Sequence, residues 1–217
     1  PDGDLHRKLP SSEGQPSAQG NELDIGVKQV LKSSTFWHIA MGFMCHILVM
    51  NTVVTHVMPY LSSIGLTRSF SSLVAIAIPL TSIVGRLSFG WLGDRFGKKQ
   101  LAALGFVLAT LGLLSFGYVA TARTWILLPS LVLIGLGWGG PVPMMPALVR
   151  EYFGRGRLAT VLGLVMGIAA LGSMVGPPLA GLAFDRLGSY QVVWFGFAGL
   201  VIAGMISLVT TPSVGKG

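Results

Sequence analysis

From about residue 36 onward, apolar positions run together in six long stretches separated by short polar segments. The stretches lie near 36–61, 70–92, 101–120, 125–149, 159–184 and 192–211. Crossing about 30 Å of hydrocarbon takes roughly 20 apolar residues, so each stretch is long enough to span a membrane. Lipid offers backbone N–H and C=O groups no partners, which restricts such segments to helices. The pattern predicts an all-α membrane protein with a six-helix transmembrane bundle over 35–212 and a short cytoplasmic tail at 213–217.

The residues ahead of the bundle read differently. Positions 1–22 are rich in Ser, Gly, Pro and charge, the composition of a flexible linker. Over 23–34, Ile25, Val27, Val30 and Leu31 stand near helical spacing with Lys28 and Lys32 between them. Two readings stay open there, a short amphipathic helix on the membrane surface and an unstructured connector. The first residue is Pro1 and no signal-peptide pattern follows it, so the polar tail is expected to be an interior piece of a longer protein.

Composition supports the membrane reading. Of the 217 residues, 52% are hydrophobic and 11% charged, against about 25% charged in ordinary soluble domains. Thirty glycines suit helices whose backbones approach closely in lipid. The net charge of +7 does not point to nucleic acid, because the basic residues are spread among loops. Cys45 is the one cysteine and sits in an apolar run, which excludes an internal disulfide and a cysteine-based metal site. No cofactor and no metal are called for.

Charge also orients the bundle. Six spans place both ends on one side. That side carries Arg7, Lys8, Lys28, Lys32, Arg95, Lys98, Lys99, Arg150, Arg155, Arg157 and Lys216, whereas the other carries Arg68, Arg123 and Arg186. The asymmetry predicts cytoplasmic tails. The expected location is the bacterial inner membrane.

The most informative motif runs from the end of the second stretch into the next loop: Gly90, Asp94, Arg95, Gly97, Lys98 and Lys99. Asp94 is placed to accept hydrogen bonds from the N-terminus of a neighbouring helix, Gly97 to allow a tight turn, and the lysines to meet the inner leaflet. A shorter copy, Gly181, Asp185, Arg186 and Gly188, follows 91 positions later at the end of the fifth stretch. The first copy ends a helix running inward and the second ends one running outward. An inverted repeat of three helices plus three predicts this.

The run 90–99 resembles the signature loop of the major facilitator superfamily. The resemblance covers the chain from about Leu23 onward and implies spans seven to twelve of twelve. Its implied partners are a missing N-terminal six-helix half, a small-molecule substrate and the lipid bilayer. Narrower features are similar to the oxalate/formate antiporter and monocarboxylate transporter branches: VKQVLKSSTFW at 27–37, Gly85-Arg86-Leu87, and Gly176-Pro177-Pro178-Leu179-Ala180-Gly181 with Gly188-Ser189-Tyr190 beyond it. They imply a small organic anion as substrate.

Arg86 stands eight residues before Asp94, roughly 12 Å inside the helix end. A charge at that depth faces a cavity or a partner. A guanidinium binds carboxylate in bidentate fashion. In the carboxylate-carrying branches an arginine at this place belongs to the substrate site. Snorkelling to the headgroups, or pairing with the signature loop, is the structural alternative. Two departures narrow the substrate. Monocarboxylate transporters carry an acidic residue one turn before the arginine, where this chain has Ser82. The oxalate exchanger has a lysine in the penultimate span, and the fifth stretch here has none. A single-carboxylate substrate fits better than a dicarboxylate, and a neutral or cationic solute such as a drug is the rival.

The first stretch holds His38, His46 and His56 with Asn51, Thr52 and Thr55, a polar stripe on an apolar helix. Read functionally, it is a substrate wall with His46 as a proton carrier. Read structurally, the histidines only pack. Asp94, Glu151 and Asp185 all stand at span ends, so no carboxylate lies deep in this part of the protein. The fourth stretch collects Gly135, Gly137, Gly139, Gly140, Pro141, Pro143 and Pro146. The fifth has two GxxxG pairs, Gly163/Gly167 and Gly172/Gly176. Such helices either bend during transport or simply pack closely. Trp138 and Tyr60 line the cavity or anchor interfaces. Neither H-E-x-x-H nor G-x-S-x-G occurs, so no enzyme signature is present. No re-entrant filter or charge ring marks a channel.

Overall fold

The computed structural model describes residues 26–122 and 124–212. The expected linker at 1–22 and tail at 213–217 lie outside them. The described part of α1 covers 26–31. Seven helices follow: α2 (Ser34–Ser63), α3 (Arg68–Gly93), α4 (Lys98–Ala122), α5 (Leu127–Gly139), α6 (Pro141–Phe153), α7 (Leu158–Leu187) and α8 (Tyr190–Val209). A single 3₁₀ turn, Thr124–Ile126, precedes α5. Among the described residues there is no strand. Six helical stretches are long and apolar enough to cross a membrane, with α5 and α6 together forming the fourth, Leu127–Phe153. The protein is an integral membrane protein.

The fourth span breaks where its prolines predict. Pro141 has no N–H for the carbonyl of Gly137, and α6 restarts at that residue. The connections are short and chemically ordinary. Gly65 ends the α2–α3 turn at φ 84°, Thr67 caps α3 by accepting from the Phe70 amide, and Gly154 turns at φ 78°. Within the 23–34 segment, residues 26–31 are helical. α1 lays Val30 into the core, Gln29 Oε1 accepts from Arg157 at 3.3 Å, and Trp37 Nε1 donates to the carbonyl of Leu31 at 2.8 Å.

The neighbour relations repeat. α2 packs along α7 as α3 packs along α5–α6. α4 packs on α5 as α8 packs on α2, and α4 meets α8 between the two sets. Exchanging α2 with α5–α6, α3 with α7 and α4 with α8 maps this pattern onto itself. That is the internal three-plus-three arrangement. Its core is built from Phe36, Phe43, Tyr60, Phe106, Phe116, Ile134 and Trp194, all buried.

One face of the bundle gathers Lys28, Lys32, Arg95, Lys98, Lys99, Arg150, Arg155 and Arg157 at the helix ends. It is called the basic face below. The distal face carries Arg68 and Arg186 among the described residues.

Candidate functional site

Arg86 lies on α3 about two turns from its basic end. The helix buries one stripe, Ser71, Val74, Ile78, Ser82, Gly85 and Phe89, against α5 and α6. That stripe is drawn in tightly by small residues. A Cβ on Gly85 would lie 2.9 Å from the carbonyl oxygen of Leu136, and a Cβ on Gly139 would overlap the carbonyl of Ser82. At 100° per residue, Arg86 falls about 80° from the middle of the stripe, beside Ser72, Pro79 and Gly90. Its side chain is exposed at the surface of the bundle. It makes no hydrogen bond, ion pair or ring contact among the described residues.

The four residues expected around a substrate divide into two pairs. Arg86 is exposed, and Asn51 is half-buried on α2, where its Nδ2 donates to Oγ of Ser173 on α7 at 2.7 Å. His46 and Ser82 are inside the packed bundle, each only 2% exposed. Ser82 Oγ donates back to the carbonyl of Pro79 at 2.7 Å. His46 Nε2 lies 2.9 Å from the carbonyl oxygen of Gly137, and its ring rests against Phe106 at 4.7 Å. His46, from the polar stripe of α2, and Ser82, from α3, therefore lie inside the bundle and not at its surface. Both positions turn toward α5, His46 onto the Gly137 carbonyl and Ser82 against Gly139. Ser173 is half-buried beside Asn51, and the sequence carried no signal for it beyond its place among the α7 glycines.

The histidines of α2 share one chemistry. His38 Nδ1 meets the carbonyl of Ser207 on α8 at 2.9 Å, His46 meets Gly137 on α5, and His56 Nε2 meets Pro177 on α7 at 3.0 Å. A carbonyl only accepts, so each of these ring nitrogens carries a hydrogen and donates. The polar stripe of α2 is therefore three staples to three different helices. Tyr60 is likewise buried, its hydroxyl donating to the carbonyl of Phe116 at 2.7 Å, and it lines no open cavity. Trp138 is half-buried on α5.

The signature loop is built from the end of α3 and the start of α4. Arg95 stacks over Trp91 at 4.4 Å. Lys98 pairs with Glu151 of α6 at 3.0 Å, and Lys99 donates to the carbonyl of Thr211 at 2.7 Å. The loop thus ties α4 to the ends of α6 and α8. The Asp94 side chain is exposed at the end of α3 and makes no hydrogen bond among the described residues. Gly97 does not need a left-handed backbone, whereas Gly188 of the second copy does, closing α7 at φ 64° with its N–H on the carbonyl of Phe184. Gly181, Asp185 and Arg186 lie in the last two turns of α7 at the distal face. No group of histidine, cysteine, aspartate or glutamate among the described residues is arranged to hold a metal.

Known proteins sharpen the picture. The Major Facilitator Superfamily model matches residues 5–145 and 39–216. Monocarboxylate transporter 12-B of Danio rerio is 30% identical over 148 residues, which are 66% of this chain and 31% of that protein. Monocarboxylate transporter 12 of Mus musculus is 28% identical over 161 residues, 71% of this chain and 33% of that protein. The chain spans about a third of the length of these curated relatives. In fold it is similar to the E. coli fucose:proton symporter, with a TM-score of 0.78 at 15% identity over 95% of this chain and 50% of that one. It is also similar to a proton-dependent oligopeptide transporter, with a TM-score of 0.74 at 17% identity over 83% of this chain and 42% of that one. The bundle therefore corresponds to one half of a transporter fold, and the chain belongs to the Major Facilitator Superfamily.

Proposed function

We propose that this chain forms the C-terminal half of a secondary transporter that moves a small organic anion, best a monocarboxylate, by alternating access. The observation that carries the reading is Arg86, an unpaired guanidinium exposed on a membrane-spanning helix roughly 12 Å from its end. Leaving a cation at that depth is unfavourable by at least about 2.5 kcal/mol unless something compensates it. A carboxylate does so with two parallel hydrogen bonds. Asn51 and Ser173, hydrogen-bonded to each other on α2 and α7, add half-buried neutral polar groups within the bundle. The absence of a second deep cation among the described residues favours one carboxylate over two. The names of the sequence relatives, monocarboxylate transporters, agree.

In this reading an N-terminal six-helix half completes the cavity and the two halves rock about it. The basic face is cytoplasmic, since lysine and arginine accumulate on that side. The role is transport rather than catalysis, and the membrane is a plasma membrane.

Counterflow of labelled lactate, pyruvate, formate and oxalate tests the proposal, with the full-length protein in proteoliposomes beside an Arg86→Gln variant. Exchange of one monocarboxylate, lost in a variant that remains folded, is the expected result. Normal exchange by Arg86→Gln, or no movement of any carboxylate, sinks it.

A further inference from the structure

α7 carries two adjacent prolines, Pro177 and Pro178, inside a continuous helix. Neither can donate the backbone N–H that the carbonyls of Ser173 and Met174 would normally receive, so one turn of α7 lacks two of its bonds. The helix is fastened differently on the two sides of this turn. On the side of the basic face it lies directly against α2. A Cβ on Gly172 would sit 2.8 Å from Cγ of Met44, and one on Gly176 would sit 2.9 Å from the carbonyl of Leu48. Five of the six buried residues of α7 precede Pro177, and Ala180 alone follows it.

From Pro177 onward the attachment is polar and aromatic. His56 Nε2 donates to the carbonyl of Pro177 at 3.0 Å, which leaves Nδ1 to accept from the hydroxyl of Tyr190 on α8 at 3.2 Å. Tyr190 stacks on Phe184 with centroids 4.2 Å apart. The same ring cluster contains Trp194, whose Nε1 is the one buried side-chain nitrogen or oxygen without a partner among the described residues.

We propose that the Pro177–Pro178 turn is a hinge in α7, and that His56 is the positioning residue that ties this turn to α2 and α8 and so restrains the distal part, 178–187. The latch is a single side chain with two hydrogen bonds. Backbone contact through Gly172 and Gly176 holds the part before the hinge without it. Release of His56 loosens the distal part, which keeps the Phe184–Tyr190 stack and the buried Ala180, and leaves the part before the hinge in place. Its use in transport rests on the alternating-access reading, but the hinge itself rests only on these contacts.

Hydrogen exchange read by mass spectrometry tests this on the full-length protein in nanodiscs. His56→Ala is expected to speed exchange about tenfold in peptides covering 179–187, the loss of about one net hydrogen bond, and to leave 158–172 unchanged. His56→Gln, whose amide can still donate to Pro177, keeps most of the protection. Pro177→Ala/Pro178→Ala restores the two missing N–H groups and slows distal exchange, whatever His56 does. Equal acceleration on both sides of the prolines overturns the latch, as does an unchanged distal part or a Gln variant that behaves like Ala. If His56→Ala does not accumulate folded, the double proline variant decides, and unslowed exchange there removes the hinge. None of these readouts requires a transported anion, so failure of the carboxylate proposal leaves this test standing.

Discussion

His46 donates from Nε2 to the carbonyl oxygen of Gly137 across 2.9 Å, and Gly137 is the residue whose carbonyl Pro141 leaves without its helical donor. A side chain of α2 thus supplies the hydrogen bond that the break between α5 and α6 removes. In lipid such a carbonyl has no water to turn to, which explains a histidine at the centre of an apolar helix. His46→Ala removes the donor and leaves a cavity beside Phe106, so it is expected to destabilise the protein by about 2–4 kcal/mol. Thermal melts in detergent measure this. His46→Ala should be markedly less harmful in a Pro141→Ala background, where the backbone can bond Gly137 itself. Equal losses in both backgrounds would contradict the substitution of one donor for the other.

Arg86 is the reverse case, a charged side chain that supports nothing in the bundle. Arg86→Lys keeps the charge and should melt close to the parent, whereas Arg86→Gln removes an uncompensated charge from a membrane helix and should leave stability unchanged or raise it, by up to about 2.5 kcal/mol. Their transport should differ. Lysine keeps the charge but not the planar fork, so its exchange rate is expected to fall on the order of tenfold, and that of Gln by about a hundredfold or more. Paired melting and counterflow measurements separate the two effects.

Glycine positions with the same sequence appearance should respond oppositely. A Cβ at Gly139 would overlap the carbonyl of Ser82, so Gly139→Ala forces α5 away from α3 and is expected to destabilise by about 1–3 kcal/mol. Gly196 on α8 has nothing within 4 Å of its added Cβ. Gly196→Ala should be neutral, or stabilising by up to about 1 kcal/mol through helix propensity. Denaturation of the two variants side by side checks the contrast.

The two copies of the loop motif make a similar pair. Gly188 holds a left-handed backbone at φ 64°, which an alanine adopts at an expense of about 1–2 kcal/mol. Gly97 is not left-handed, and an added Cβ there meets only the flexible Gln100 side chain at 3.3 Å. Gly188→Ala should lower the melting temperature by several degrees while Gly97→Ala barely moves it.

The Lys98–Glu151 pair is expected to contribute little. Its side chains are 39% and 49% exposed, and solvent screens a pair of that kind to below about 1 kcal/mol. Glu151→Gln should therefore change stability by less than about 0.5 kcal/mol, and any effect should vanish in 0.5 M salt, where the Debye length is only about 4–5 Å.

The amino-acid sequence by itself determined the six membrane helices, their order and their inverted pairing. Length and hydropathy decide whether a segment enters lipid, and the repeated Gly–Asp–Arg pattern marks equivalent helix ends, all of which are local properties of the chain. It also determined that Arg86 is anomalous, since depth along a helix follows from residue count. Tertiary structure alone decided which way the polar residues of α2 point. His38 and His56 share one face of the helical wheel and His46 stands about 80° away, but a wheel does not show which neighbours surround it, and those neighbours expose carbonyls to all three. The same holds for Ser82 and Arg86, four residues apart on α3. The glycines of α5 close over the first and leave the second open, because how near two helices come depends on the residues facing each other and not on either helix alone.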